Sequence, residues 1–406
     1  MLSGMAKAPA TCGARHVSLL QDLKQLSQTR STNPFRPGSG ILPPLLAGRD
    51  RETAILDAGV ARTREGQPQH TALLGEWAIG KTTLLMHWRR LRQQAGDAVV
   101  LSMAYPQSAD EFLAGLVTTI DAELTTDWRR RVEVEIGLDI GIADARIRRS
   151  SRDPERDLRA ALRRLVERRA GEERSVVVLL DDVDLLPDTG DALLRLRACA
   201  LELYAADLPL AFVIAAGPGL FTEVRSAHEP LVRFFEPLSV GPLDHTDTAR
   251  ALTEPLRETT VRFDADVVAE IVDLAGGRPY YVQKLGYYTF DAAANGRVTR
   301  AEFAVAFERA FASVSQEIFA GRWERMSPID RQVVAVVARS TEPRPSGDIE
   351  AEAARRGVRP GAARQSLRRL ASKGHIDRLA YGHRGRYEVR DRLFRRYLEL
   401  QTGTSP

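Results

Sequence analysis

Apolar positions along the chain switch between two spacings. Short, nearly uninterrupted runs at His70–Leu74, Ala98–Met103, Ser175–Leu180 and Leu210–Ala215 predict strands. The last two are of the kind buried on both faces of a parallel sheet. Between them, apolar residues recur every three or four positions over Thr82–Gln94, Ser108–Leu124, Pro154–Arg169 and Thr189–Ala205, which predicts helices. Strand and helix in alternation predict a layered α/β domain. From Val132 to Ile142 every second residue is apolar, which predicts an extended ribbon inserted into that domain, with Gly137 at a hairpin or bulge.

After Pro237 the pattern changes. Residues 240–318 read as four helices without a strand pattern. Residues 327–400 read as a winged helix-turn-helix: a helix opened by Ser327, a second over Ser346–Arg356 and a third over Pro360–Lys373. A strand pair near Ile376–Leu379 and Arg386–Val389 follows, then a last helix over Arg392–Leu400. The expected organisation is a tail over 1–30, an α/β core over 31–238 with a hairpin insertion near 131–143, a helical lid over 239–320, and a winged helix-turn-helix over 321–406.

At 406 residues the chain has room for two to four domains. Hydrophobic content of 44% with 28% charged residues excludes a disordered, collagen-like or coiled-coil protein. No eighteen-residue apolar run and no signal pattern occur, so neither a membrane span nor secretion is expected. Two cysteines, Cys12 and Cys199, build neither a disulfide framework nor a cysteine zinc site, and a reducing cytoplasm is the expected compartment.

The net charge of +4 carries no argument for nucleic acid over the whole chain. Two details do change the picture. Only five of the 58 basic residues are lysines, so Lys81 is informative. Charge also concentrates from 327 onward, with seventeen Arg or Lys against nine Asp or Glu. The third helix of that block carries Arg364, Arg368, Arg369 and Lys373, and the expected wing carries His383, Arg384 and Arg386. A recognition helix with a basic wing is one reading, and these are the candidate DNA-binding residues. A solvated basic face, or a block that packs on the rest of the chain or binds protein, is the other.

The segment Gly75-Glu76-Trp77-Ala78-Ile79-Gly80-Lys81-Thr82 satisfies G-x-x-x-x-G-K-[ST], between an expected strand and an expected helix. Its glycines let backbone N–H groups turn around phosphate oxygens, and the following helix aims its positive end at the same anion. Lys81 would reach the β- and γ-phosphates, and the Thr82 hydroxyl would ligate Mg²⁺. Gly75 through Thr83 are the candidate nucleotide-binding residues. About a hundred residues later, Val176–Leu180 delivers Asp181 and Asp182 at a strand end, the edge where open α/β sheets bind ligands. Asp181 would hold Mg²⁺. Asp182 would polarise the attacking water, one methylene shorter than the usual glutamate, so turnover is expected to be slow. Lys81, Asp181 and Asp182 are the catalytic candidates, with ATP or ADP and Mg²⁺ as cofactors.

With these motifs the chain resembles the STAND and Orc1/Cdc6-like branch of the AAA+ ATPases, over roughly residues 33–400. Leu46-Ala47-Gly48-Arg49-Asp50-Arg51-Glu52 resembles the family's hhGRExE element, which implies that Gly48 and Arg49 lie beside the adenine. Asn33-Pro34-Phe35 and Pro43-Pro44 look like its lead-in. Gly277-Arg278-Pro279 resembles the G-x-P element of the lid, which implies a nucleotide contact for Arg278 and Pro279. The chain departs from the family where a strand ends in Ala215-Ala216-Gly217-Pro218, without the usual polar residue. Arg225 and Arg233 are arginine-finger candidates on position only.

Three functions remain open. The chain is a cytoplasmic ATP-hydrolysing switch coupled to DNA binding, partner recruitment or self-assembly. Or it is a nucleotide-regulated interaction module with negligible turnover. Or it is a DNA-binding regulator with structural ATP.

Overall fold

The structure is a computed structural model that describes residues 32–38, 40–103, 106–125, 153–170, 174–225, 229–381 and 384–403. The expected tail and the alternating segment 132–142 lie outside these residues.

Five strands form the core sheet: β1 (His70–Leu74), β2 (Ala98–Ser102), β3 (Val176–Leu180), β4 (Ala211–Ala216) and β5 (Phe235–Ser239). The order is β2-β3-β4-β1-β5, all parallel, with Leu74 beside Ala216 and Ser102 beside Leu180 at the carboxyl edge. Helices α1 (Asp50–Arg64), α2 (Lys81–Gln94), α3 (Ala109–Thr125), α4 (Pro154–Ala170) and α5 (Thr189–Tyr204) cover the sheet, and the short α6 (Leu220–Arg225) and α7 (Glu229–Phe234) lead to β5.

The period of two in β3 decides which layer each residue serves. Val177 and Leu179 pack with Leu56 and Val60 of α1 and Leu84, Leu85 and Trp88 of α2. Val176, Val178 and Leu180 pack on the other face with Phe112 of α3, Leu162 of α4 and Leu196 of α5. Each such buried aliphatic side chain stabilises the sandwich by about 1.5–3 kcal/mol.

Helix α1, strand β5 and the short α6 and α7 have no counterpart in the expected pattern. Helix α1 buries Leu56, Gly59, Val60 and Thr63 and carries acids in its first turn and arginines in its last. That is amphipathic spacing with charges matched to the helix dipole, overlooked because the segment was read only as a motif. Strand β5 holds Pro237 and is exposed at three of its five positions. An edge strand tolerates a proline that a central one would not.

The four expected lid helices are α8 (His245–Thr253), α9 (Ala265–Ala275), α10 (Pro279–Ala292) and α11 (Arg300–Val314). The expectation of no strand in this stretch is corrected: β6 (Arg262–Phe263) pairs in parallel with β7 (Arg297–Val298). Two residues are too few for a period to show. From Arg300 a helical path runs through α11, a π-helical turn (Ser315–Phe319) and α12 (Ala320–Glu324), so the division expected at 320/321 falls inside it.

The C-terminal block is α13 (Pro328–Ala338), β8 (Arg344–Pro345), α14 (Ser346–Arg355), α15 (Pro360–Ser372), β9 (Asp377–Tyr381), β10 (Arg384–Glu388) and α16 (Arg392–Thr402). Its three strands form an antiparallel sheet in the order β8-β10-β9. The lid and this block share one apolar core rather than two. Phe319 stands 6.2 Å from the ring of Tyr281 and 5.2 Å from that of Phe394.

Candidate functional site

The loop from Gly75 to Gly80 joins β1 to α2, and its shape depends on close approach. A Cβ on Gly75 would lie 2.6 Å from the carbonyl oxygen of Val240. Ala78 and Gly80 both take positive φ, 63° and 90°, the second in a region a side chain rarely occupies. Helix α2 starts at Lys81 and directs its unpaired N–H groups at the loop.

Lys81 is buried, and its ammonium donates to the carbonyls of Gly75 at 2.9 Å and Glu76 at 3.0 Å. An ammonium has three donors, so one has no protein partner among the described residues. Burial lowers its pKa, against the opposite pull of Asp182, Asp184, Asp181 and Glu76.

Asp181 ends β3 and is buried beside the Thr82 hydroxyl. Burial raises its pKa to about 6. The Thr82 hydrogen bond and Lys81 work the other way, and the neighbouring Asp182 adds to the rise. A buried carboxyl with a raised pKa lacks positive charge, which suits a divalent cation shared with Thr82. Asp182 follows in the left-handed region at φ 49°. Asp184 accepts from the Gly217 amide at 3.0 Å. The strand end that lacks a polar residue is therefore tied to a carboxylate on the neighbouring turn.

A cavity of about 330 Å³ opens against this loop. Trp77, Ala78, Gly80, Lys81, Thr82 and Thr83 line it, and Asp182 lies at the same end. The lead-in segment supplies Ile41, Pro43, Leu45, Leu46, Ala47 and Arg49, and the lid supplies Leu243, Ala251, Pro279, Tyr280, Gln283 and Glu317. Gly75, Glu76, Ile79, Asp181 and Arg278 are not part of that lining. Gly48 packs on Asp247. Arg49 spends its guanidinium on the protein, donating to Ile79 O and Gly241 O, both at 2.9 Å. It braces the phosphate loop against the chain leaving β5.

Arg278, the N-cap of α10, crosses to the loop. It pairs with the Glu76 carboxylate and donates to the Trp77 carbonyl at 3.0 Å. Its Nε faces Asp391 at 3.5 Å, at the start of α16. Asp391 is buried, accepts from the Tyr281 hydroxyl at 2.7 Å, and lies 3.8 Å from Arg322. Arg322 in turn donates to the Gly374 carbonyl at 3.0 Å. Burial alone would lower the Arg278 pKa, but Asp391, Tyr281 and Glu76 outweigh it and raise it. Glu76, Arg278, Asp391 and Arg322 thus form a chain of alternating charge, partly exposed at Glu76, from the phosphate loop through the lid to the C-terminal block. Sequence reasoning found Arg278 and missed Glu76 and Asp391 as its partners, and Arg322 as the second cation on Asp391. Their ionic types were visible, but no local spacing pairs residues more than a hundred positions apart.

The basic residues of the C-terminal block separate. Arg364 is exposed and holds Glu350 through two hydrogen bonds, at 3.1 and 2.9 Å. Arg369 turns inward to Asp330 at 3.0 and 2.7 Å. Arg368 and Lys373 are exposed. Arg386 is exposed and donates to Pro343 O at 3.1 Å. Arg384 opens β10, and its side chain, like His383, lies outside the described residues. Arg233 pairs with Glu229 at 3.2 Å on an exposed helix face. The Arg225 side chain is not described.

Residues 45–213 match the family model of the AAA ATPase domain. The match runs from before α1 into β4. Its fold recurs among solved structures. A Walker-type ATPase of Pyrococcus abyssi is 19% identical with a TM-score of 0.64, covering 90% of this chain and 98% of that one. The ORC2 protein of Aeropyrum pernix in its ADPNP–ADP complexes is 17% identical with a TM-score of 0.62, covering 90% and 98%. These likenesses establish the fold over nine-tenths of the chain. No curated protein matches it. Among the described residues no helix is long and apolar enough to cross a membrane.

Proposed function

We propose that the chain is an ATP-hydrolysing switch of the STAND and Orc1/Cdc6-like kind, in which nucleotide in the cavity controls the C-terminal block. One observation carries this reading: the ion chain Glu76–Arg278–Asp391–Arg322, which joins the phosphate loop to that block. A triphosphate arriving beside Lys81 competes with Glu76 for the Arg278 guanidinium, and whatever changes at Arg278 is felt at Asp391. Differential affinity for the two arrangements supplies the energy of switching.

Lys81 and the loop amides neutralise phosphate charge. Thr82 and Asp181 would hold Mg²⁺, which draws electron density from the phosphate oxygens when bound. Asp182 orients the attacking water, and its short side chain makes turnover slow. The antiparallel sheet and α13–α15 support a winged helix-turn-helix. Exposed Arg364, Arg368 and Lys373 on and just after α15 support DNA as its partner. Self-assembly or a protein partner is the alternative output.

Hydrogen exchange over residues 374–391, with and without a non-hydrolysable ATP analogue, tests the coupling. Exchange there changes with the analogue in the wild-type chain and not in Lys81→Ala; equal exchange in all four samples rejects the switch. Charge reversal of Arg364 and Arg368 together should lower DNA affinity and its salt dependence, and unchanged binding removes DNA from the reading.

A second reading, an interaction module with negligible turnover, is favoured by the aspartate at 182 and the apolar strand end at Ala215–Ala216. Phosphate release that Asp181→Ala abolishes would reject it.

A further inference from the structure

The cavity is lined by groups of unlike kinds. Lys81, Thr82 and Asp182 stand at the phosphate end. Ile41, Pro43, Leu45, Leu243 and Ala251 give the lining apolar surface, and Arg36, Arg49, Tyr280, Gln283 and Glu317 give it polar groups. Asp182 and Glu317 are its two acids, and only Asp182 belongs to the phosphate machinery.

Glu317 is held with some care. It sits in the π-helical turn Ser315–Phe319, a local widening that re-aims side chains and is common at functional sites. Its Oε1 accepts from Lys284 at 2.6 Å and Ser313 at 2.8 Å, and its Oε2 accepts from the Tyr280 hydroxyl. Lys284 is itself buried, so its charge is committed to this acid. Burial works against the ionised Glu317, but Lys284, Tyr280 and Ser313 prevail and hold its pKa below the usual range. The side chain is still 44% exposed. A carboxylate accepts about four hydrogen bonds, so Oε2 has room for one more, on the cavity side.

Lys284 balances the charge of Glu317, and the acceptor position left on Oε2 can take a donor that the ligand brings. The phosphates bring none. The remaining donors of a nucleotide are its ribose hydroxyls and its base amine, and the apolar lining suits the base. We infer that Glu317 accepts a hydrogen bond from a ribose hydroxyl of the bound nucleotide and so selects ribonucleotides over deoxyribonucleotides. The inference rests on the reading of the cavity as an ATP site.

Calorimetric affinities of ATP, 2′-deoxy-ATP, 3′-deoxy-ATP and ITP for the wild-type chain and Glu317→Gln decide it. The wild type prefers ATP over at least one deoxy analogue by about tenfold. In Glu317→Gln, ATP binding falls to the level of that analogue and the preference disappears. Equal wild-type affinity for ATP and both deoxy analogues overturns the inference, as does a preference that survives the substitution. A wild-type preference for ATP over ITP that alone collapses in Glu317→Gln moves the contact to the base amine and overturns the ribose assignment. If the wild type binds ATP and its analogues no better than Lys81→Ala does, the ATP-site reading itself falls and this inference with it.

Discussion

The phosphate loop and the basic helix α15 both look like anion sites in the sequence, yet the structure treats their cations in opposite ways. Among the described residues Lys81 has only backbone carbonyls as hydrogen-bond partners and keeps a donor unused, in a loop with two residues at positive φ. Arg364 and Arg369 each hold a carboxylate of their own block, Glu350 and Asp330, through two hydrogen bonds. A buried cation without a carboxylate partner is waiting for an anion. A cation already matched to an acid is either structural or must give up that acid first. Of the four basic residues on and just after α15, Arg368 and Lys373 are both exposed and without a carboxylate partner among the described residues.

The largest effect that could break this contrast belongs to Lys81→Ala. ATP affinity should fall at least about 100-fold, since one charge-assisted contact inside a low-dielectric site is worth several kcal/mol. The unfolding midpoint should hold or rise, because a desolvated cation is removed. Calorimetry and denaturation of the same sample check both, and undiminished affinity would end the contrast.

Asp330→Ala should do the reverse. It strips Ser366 and Arg369 of a buried partner and should cost about 3 kcal/mol of stability, with the ATP affinity of the surviving fold unchanged. Urea titration is the measurement, and a loss below about 1 kcal/mol would mean the pair is dispensable.

Acid should weaken both regions by a smaller amount. Burial holds His70, the first residue of β1, at a pKa of about 4. Burial with Arg322 nearby holds His375, in the C-terminal block, at about 3. Both stay neutral in the fold while the unfolded chain takes up protons below about pH 6.5. Stability is therefore full above that value and falls as pH drops toward 4, by about 2 kcal/mol per residue at pH 4.5. His70→Leu should flatten its share of the slope. Because the lid and the C-terminal block share one core, the His375 share should appear in the same transition as the lid.

The smallest effect belongs to Arg364→Ala, which should leave the unfolding midpoint within error because the pair with Glu350 is solvent-exposed on the arginine side. A clear drop would make Arg364 structural and take it off the proposed DNA face.

The outcome at individual residues follows the range of the interactions involved. The four buried strands and the helices between them were legible because period and run length are local. So was the phosphate loop, whose spacing is its mechanism. Strand β5 was not, because Pro237 and its exposed positions conceal an edge strand that needs a neighbour to exist. Arg49 was matched to a motif, but its contacts with Ile79 and Gly241 show it bracing the loop. Glu317 carried no signal at all: its role rests on a π-helical turn and on Tyr280 and Lys284, more than thirty residues away.

By itself the sequence determined the layered α/β core and the loop that can wrap a phosphate, because both follow from spacing within a few residues. Only the tertiary structure decided which charges are free. An ion pair such as Arg278 with Glu76 and Asp391 forms between segments more than a hundred residues apart, and whether a buried charge is matched there depends on packing that no local pattern encodes.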